Sequence, residues 1–192
     1  MSDSTINRMN PNNTDSKVRF LTTTALMTAV ICILGPLSLP IGPVPISLTN
    51  LALYFTMYIL DTKRGVTAYI VYLLIGLIGL PVFSGFQGGP QKLVGPTGGY
   101  LIGFIPMILI IGPVIKRFYK KRVLSIIVME AATWVAYLFG TIWLKTSAGM
   151  TFQAALAAGV LPFVIEDFAK IVIAGIFGPV LRDRLRPFTR VE

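Results

Sequence analysis

The chain has 192 residues, of which 54% are hydrophobic, with a mean hydropathy of +0.75 and a formal net charge of +9. A soluble domain of this length needs a more polar surface, so the composition indicates a membrane protein with room for roughly six spans of about 20 residues. The sequence contains no histidine. This excludes His-based acid–base chemistry, Ser-His-Asp triads and most zinc sites.

The chain divides into a polar arm, residues 1–17, and one predicted membrane domain, residues 18–192. The arm has no apolar core, so we expect no cleavable signal peptide. The domain is predicted to be all-α, an integral bundle of six transmembrane helices. The predicted spans, in chain order, are 20–39, 46–60, 66–80, 97–115, 123–144 and 159–181.

The positions of the basic residues predict the orientation of these spans. Fourteen of the seventeen Lys and Arg residues lie in four places: Arg8, Lys17 and Arg19; Lys63 and Arg64; Lys116, Arg117, Lys120, Lys121 and Arg122; and Arg182, Arg184, Arg186 and Arg190. The alternate connections hold only Lys92 and Lys145. By the positive-inside rule, both termini are predicted to be cytoplasmic. Because these residues flank apolar runs, anionic lipid explains the net charge better than nucleic acid does.

Four ionisable residues fall within predicted spans, where each is a candidate functional residue. Glu130 lies in the fifth span and is expected to have a structural role. Glu166, Asp167 and Lys170 lie in the outer half of the sixth, and Asp167 and Lys170 are three residues apart on one helix face. They form either an internal ion pair that braces two helices or a site for a small polar molecule. Two acids for one base favour the binding site.

The outer loop 81–96 is longer than a minimal connection, and long loops tend to be functional. Its glycines, Gly88 among them, would allow backbone to approach a ligand closely. Phe83 and Tyr100 could supply apolar faces for a ring, although aromatic residues near an interface also serve as anchors. In the first span, Ala25 and Ala29 form a small-xxx-small pair that permits close helix contact, within the chain or with a partner.

Several runs resemble the BioY family, the biotin-specific substrate-binding subunits (S components) of energy-coupling-factor (ECF) transporters. The runs are Gly42-Pro-Val-Pro-Ile-Ser-Leu-Thr-Asn50, Tyr72-Leu-Leu-Ile-Gly-Leu-Ile-Gly-Leu-Pro-Val-Phe83, Gly88-Gly89 and Gly95-Pro-Thr-Gly-Gly-Tyr-Leu101. The resemblance covers essentially the whole chain. It implies a six-helix protein of the bacterial cell membrane that captures extracellular biotin, has no enzymatic activity and carries no cofactor.

The resemblance also implies a binding site and partners. Biotin would lie near the outer face, where Asp167 and Lys170 match the D-x-x-K spacing of the last span. The implied substrate-binding residues are Asp167, Lys170, Asn50, Gln87, Gly88, Phe83 and Tyr100. Which of Asp167 and Lys170 meets the carboxylate and which the ureido ring stays open. Ala25 and Ala29 match the pattern that docks on a transmembrane coupling subunit, which works with two ATPase subunits.

Three other functions remain as alternatives at this point. An S component for another vitamin, such as thiamine or riboflavin, would share the fold. A membrane enzyme could use Asp167 or Glu130 as an acid or base, but no second carboxylate has clear catalytic spacing. A scaffold protein would need the charged residues only for stability.

Overall fold

The computed structural model describes residues 11–189, which fold into helices joined by short connections and one small hairpin. Arg8, Arg190 and the first ten residues of the predicted arm lie outside the described residues. In chain order the elements are α1 (Pro11–Leu34), β1 (Ser38–Leu39), β2 (Ile46–Ser47), α2 (Thr49–Ile59), α3 (Thr62–Leu77), α4 (Pro90–Val94), α5 (Gly98–Phe118), α6 (Arg122–Ser147), α7 (Phe152–Gly159) and α8 (Leu161–Thr189).

Each predicted span contains a long part of one helix, but several predicted boundaries are wrong. Residues 38–39 and 46–47, placed in the first and second spans, pair as an antiparallel hairpin with Ser38 opposite Ser47. Residues 62–65, which the predicted spans left in a connection, form the first turn of α3, because the Asp61 side chain accepts a hydrogen bond from the Arg64 backbone N–H and caps the helix. The short helices α4 and α7 lie in the connections between predicted spans, residues 81–96 and 145–158.

Among the described residues, three helices are both long and apolar enough to cross a membrane: residues 16–34 of α1, α5 and α6. The other two central helices, α2 and α3, have 11 and 16 residues. They are shorter than the roughly 20 residues that a typical span needs. The length of α8 is 29 residues, but its sequence includes charged side chains.

The core forms around α2, in which every residue is buried or half-buried. This helix packs against α8, α5 and α1. Tyr54 and Tyr69 are fully buried, and both hydroxyl groups are hydrogen-bonded, to Thr133 Oγ1 at 2.6 Å and to the Leu101 carbonyl at 2.7 Å. These bonds offset the cost of burying a phenol and fix the relative positions of α2, α3, α5 and α6.

Helices α5 and α6 pack most closely, through glycines on α5. A Cβ atom at Gly99 would lie 2.1 Å from Trp143 Cβ, and one at Gly103 would lie 3.0 Å from Phe139 Cβ. The two backbones can therefore approach only because these side chains are absent. This close packing places the first turn of α5 beside α6, where both helices contribute to the cavity described next.

Candidate functional site

A cavity of about 600 Å³, counting its open side, lies between the β1–β2 hairpin, the starts of α2 and α5, and α6 and α8. The polar part of its wall includes Ser47, Asn50, Glu166, Asp167 and Lys170, and the apolar part includes Val44, Tyr100, Leu101, Phe104 and Phe163. The cavity therefore combines apolar walls with a few polar groups, as binding sites for small organic molecules do.

The ammonium group of Lys170 is the centre of the polar wall, and its side chain is only 9% exposed. It donates hydrogen bonds to the Ser47 carbonyl at 2.6 Å, to Asn50 Oδ1 at 3.0 Å and to Asp167 Oδ1 at 3.1 Å. It also forms a salt bridge of 2.6 Å with Glu166 Oε2. A buried charge is tolerated only when it is paired and hydrogen-bonded, and these contacts meet that requirement.

Asp167 is held on three sides. Its Oδ1 accepts a short hydrogen bond from Asn50 Nδ2 as well as the bond from Lys170, and its Oδ2 accepts one from the Tyr137 hydroxyl at 2.7 Å. These partners come from α2, α6 and α8 itself. Charge-assisted bonds of this kind are stronger than neutral ones, so they fix the carboxylate in one orientation.

Helical spacing determines that all three charged side chains face the cavity. Asp167 and Glu166 lie three and four residues before Lys170, and both distances place a side chain on the same face one turn away. Lys170 pairs with both acids in the structure. Lys170 lies nine residues after the first residue of α8, or about 13 Å along the helix axis.

Tyr100 forms an apolar wall of the cavity and is itself packed against glycine. Its ring occupies the space that a Cβ atom at Gly140 would need, and its hydroxyl donates to the Gly159 carbonyl at 2.9 Å. This links α5 to α6 and to the end of α7. Phe163 and Val44 belong to the same buried cluster.

Four of the seven residues predicted to bind substrate line this cavity: Asn50, Tyr100, Asp167 and Lys170. The other three lie elsewhere. Phe83 is fully buried against Tyr72 and Gly76. Gly88 packs on the chain's own backbone, since a Cβ atom there would lie 2.3 Å from the Leu80 carbonyl oxygen.

Gln87 is engaged outside the cavity. Its side-chain Oε1 accepts a hydrogen bond of 2.9 Å from Lys92 Nζ, and burial lowers the pKa of that amine. Its backbone pairs with that of Phe83. The loop 81–96, the Gly-rich loop, still contributes to the cavity wall, but through Ser84.

Ser47 and Tyr137 are part of the site, and the sequence analysis missed both. Ser47 contributes its backbone carbonyl, which any residue possesses, so its type carries no signal. Tyr137 lies within an apolar span, one turn after Trp134. Tyr137 lies seven residues after Glu130, two turns along the same helix face, and a tyrosine at such a position can donate a hydrogen bond to an acid within a span. Glu130 itself accepts a bond of 3.0 Å from Trp134 Nε1 on the same helix and is not among the cavity residues.

Ala25 and Ala29 are exposed on α1 and line a second, apolar groove of about 950 Å³ between α1 and α3. Thr28 and Thr67 are among its few polar residues. The exposure of both alanines means that, within the described part of the chain, the small residues do not serve to bring two helices of this protein together.

The apolar helices and the cavity with its buried charged network are those of a helical membrane protein with a candidate small-molecule site. The chain belongs to the BioY family, whose model matches residues 8–187. It is 35% identical over 167 residues to the biotin transporter BioY2 of Lactococcus lactis, covering 87% of this chain and 92% of that protein. It is 36% identical over 161 residues to the biotin transporter BioY of Thermotoga maritima, covering 83% and 93%.

The fold is similar to a solved one. The crystal structure of the S-component for biotin from an ECF-type ABC transporter superposes with a TM-score of 0.80 and 30% sequence identity. The similarity covers 92% of this chain and 98% of that one. The helical arrangement over most of the chain is therefore that of an S component.

We expect loss of the Asp167 charge to destabilise the fold more than loss of any one of its donors. Asp167→Asn weakens three charge-assisted bonds and should lower the free energy of unfolding by about 2–3 kcal/mol. Tyr137→Phe removes one donor and should cost about 1 kcal/mol. Thermal unfolding in detergent measures both. Tyr119→Phe is the matched control, because it removes an exposed Tyr–Asp bond to Asp183. Equal effects of all three variants would contradict a cooperative network.

Proposed function

We propose that this protein is the biotin-binding S component of an ECF transporter and captures biotin from outside the cell. The observation that carries the proposal is the Lys170–Asp167–Asn50 network on the wall of an otherwise largely apolar cavity. The identity to proteins named biotin transporters, across most of both chains, supports it. The relatives are named as transporters. In this proposal the protein is not an enzyme, and its partner subunits hydrolyse ATP.

The cavity chemistry suits biotin. This molecule has a carboxylate, a ureido ring with two N–H donors and a carbonyl, and an apolar bicycle and tail. The site offers one ammonium group, two carboxylates and the Asn50 amide, surrounded by Tyr100, Phe104 and Phe163. A few placed polar groups in an apolar cavity give both affinity and orientation. Within this proposal Asn50, Asp167, Lys170 and Tyr100 contact biotin, whereas Gln87, Gly88 and Phe83 shape the loop beside the cavity.

The proposed topology has six crossings, with both termini in the cytoplasm of a bacterial cell. Helices α2 and α3 are short, about 16 and 24 Å, and cross the membrane only if the bilayer thins locally or flanking segments contribute. The charges at the start of α8 do not oppose a crossing, because Glu166, Asp167 and Lys170 line the cavity. The basic loop after α5 and the basic end of α8 lie at the cytoplasmic side.

The groove that contains Ala25 and Ala29 is proposed to dock on the transmembrane coupling subunit, which acts with two ATPase subunits. An exposed small-xxx-small pair beside an apolar groove suits the close approach of a partner helix. No cofactor is required for capture in this proposal, and energy enters only through the ATPases.

Equilibrium binding of radiolabelled biotin to the purified protein tests the function. Wild type should bind with a dissociation constant below about 1 µM, and unlabelled thiamine and riboflavin should not compete. Lys170→Met should weaken binding by about thirtyfold or more, because truncating one member of a buried charged network costs about 2 kcal/mol or more. Lys145→Met, at an exposed lysine near the end of α6, is the control.

Two outcomes would overturn the biotin assignment. One is wild-type protein that is folded but does not bind biotin at micromolar concentrations. The other is a vitamin other than biotin that displaces the label.

Docking is tested by co-purification with the coupling subunit and the ATPases. Ala29→Trp should reduce recovery of the complex at least about fivefold by filling the groove, and should leave biotin binding unchanged. Ala131→Trp, at an exposed alanine of α6, is the matched control and should assemble normally. Normal assembly of the Ala29 variant would place the docking surface elsewhere.

Topology is tested with single cysteines in a Cys32→Ala background, since Cys32 is the only native cysteine. A membrane-impermeant maleimide should label Ser147→Cys in intact cells. It should label Lys121→Cys only after the cells are permeabilised. Both positions are exposed, so access depends on the side of the membrane. The reverse labelling pattern would invert the proposed orientation.

A further inference from the structure

We infer that Glu166 takes the place of the substrate carboxylate while the cavity is empty, and that the incoming carboxylate displaces it from Lys170. The inference rests on the proposed function, because it requires a ligand that carries a carboxylate. It also assigns that carboxylate to Lys170 rather than to Asp167, because Lys170 is the cation among the residues that line the cavity. It gives Glu166, for which the sequence offered no separate role, the part of a residue that sets affinity and selectivity for anions.

The first argument is the coordination of Lys170. An ammonium group has three N–H donors and no acceptor. Lys170 Nζ has four oxygen atoms within reach, at 2.6 Å (Ser47 carbonyl), 2.6 Å (Glu166 Oε2), 3.0 Å (Asn50 Oδ1) and 3.1 Å (Asp167 Oδ1). The donors are already saturated, so a ligand carboxylate can bind Lys170 only if one of these oxygens leaves.

Three of the four oxygens are locked in place. The Ser47 carbonyl belongs to β2, which is paired with β1. Asn50 Oδ1 also accepts from the Leu51 backbone N–H at 3.0 Å, and the Asn50 amide donates to Asp167. Asp167 is bonded to Tyr137 in addition. Removing any of these from Lys170 would break at least one other contact.

Glu166 is the member of this set that can leave. Its Oε2 bonds Lys170, whereas its Oε1 is buried and has no hydrogen-bond partner among the described residues. Its side chain is 23% exposed, against 9% for Asp167 and Lys170. A side chain with one bonded oxygen, one unsatisfied oxygen and an open side is the one whose displacement costs least.

The charge balance points the same way. Within the cavity, Glu166 and Asp167 face one cation, Lys170. A third carboxylate added to this set would meet like charges at short range, which costs several kcal/mol. Exchange of Glu166 for the ligand carboxylate keeps the number of anions on Lys170 constant. Glu166 then turns towards the open side of the cavity.

The test compares biotin with biotinamide, its neutral carboxamide, on wild type and Glu166→Gln. Removing the competing charge should tighten biotin binding by about tenfold, since like-charge contact is relieved. Biotinamide affinity should change by less than about threefold, because its neutral amide is not repelled by the Glu166 carboxylate that the substitution removes. Glu130→Gln is the matched control: it removes a carboxylate from a helix without touching the cavity. Glu166→Ser is a second variant, so the test does not depend on the folding of one protein.

The outcomes separate this inference from the proposed function. Wild type that fails to bind biotin removes the function and the inference together. Wild type that binds biotin, with Glu166→Gln and Glu166→Ser equal to it or weaker, overturns the inference and leaves the function standing. An equal loss of biotin and biotinamide in those variants would also overturn it, because Glu166 would then be a binding acceptor.

Discussion

The rest of the structure depends on the need to satisfy one buried ammonium group. Lys170 cannot remain charged among apolar helices unless oxygen atoms surround it. Those oxygens come from the hairpin, from α2 and from α8 itself. The positions of the hairpin and of two helices are therefore coupled to a single side chain. A break in this set would leave an uncompensated charge, which costs more than any of the individual bonds contributes.

Packing explains why this network borders a cavity rather than a filled core. Gly99 and Gly103 bring α5 against α6, while Tyr100 lies over Gly140 and Gly159 and forms one wall. The opposite wall is α8, whose residues 166–170 supply the charges. Large rings packed on glycine leave the polar network facing an open cavity, and the hairpin forms part of the cavity wall. Capture therefore needs an apolar enclosure as much as it needs the charged residues.

The sequence predicted some of these features well, for identifiable reasons. Long apolar runs defined the helices, and the three-residue spacing of Asp167 and Lys170 placed both in one cavity. The hairpin at 38–47 was missed because its two-residue strands carry no periodic pattern. Gln87 was expected in the site because of the family resemblance, but its contact with Lys92 depends on α4, which the sequence did not indicate. Tyr137 and the Ser47 carbonyl needed three-dimensional contacts to be recognised.

The Gly-rich loop is attached to two helices, and this limits how it can move. The Gly85 N–H bonds the Pro36 carbonyl just after α1 at 3.1 Å, and the Gly89 N–H bonds the Gly76 carbonyl in α3 at 2.7 Å. The Phe83 ring packs against Gly76 of α3 and lies edge-on to Tyr72 of the same helix. The loop is thus not a free flap on a hinge. A displacement of this loop beside the cavity would therefore also displace α1 and α3. These two helices form the groove that contains Ala25 and Ala29, so the cavity and the groove are structurally coupled.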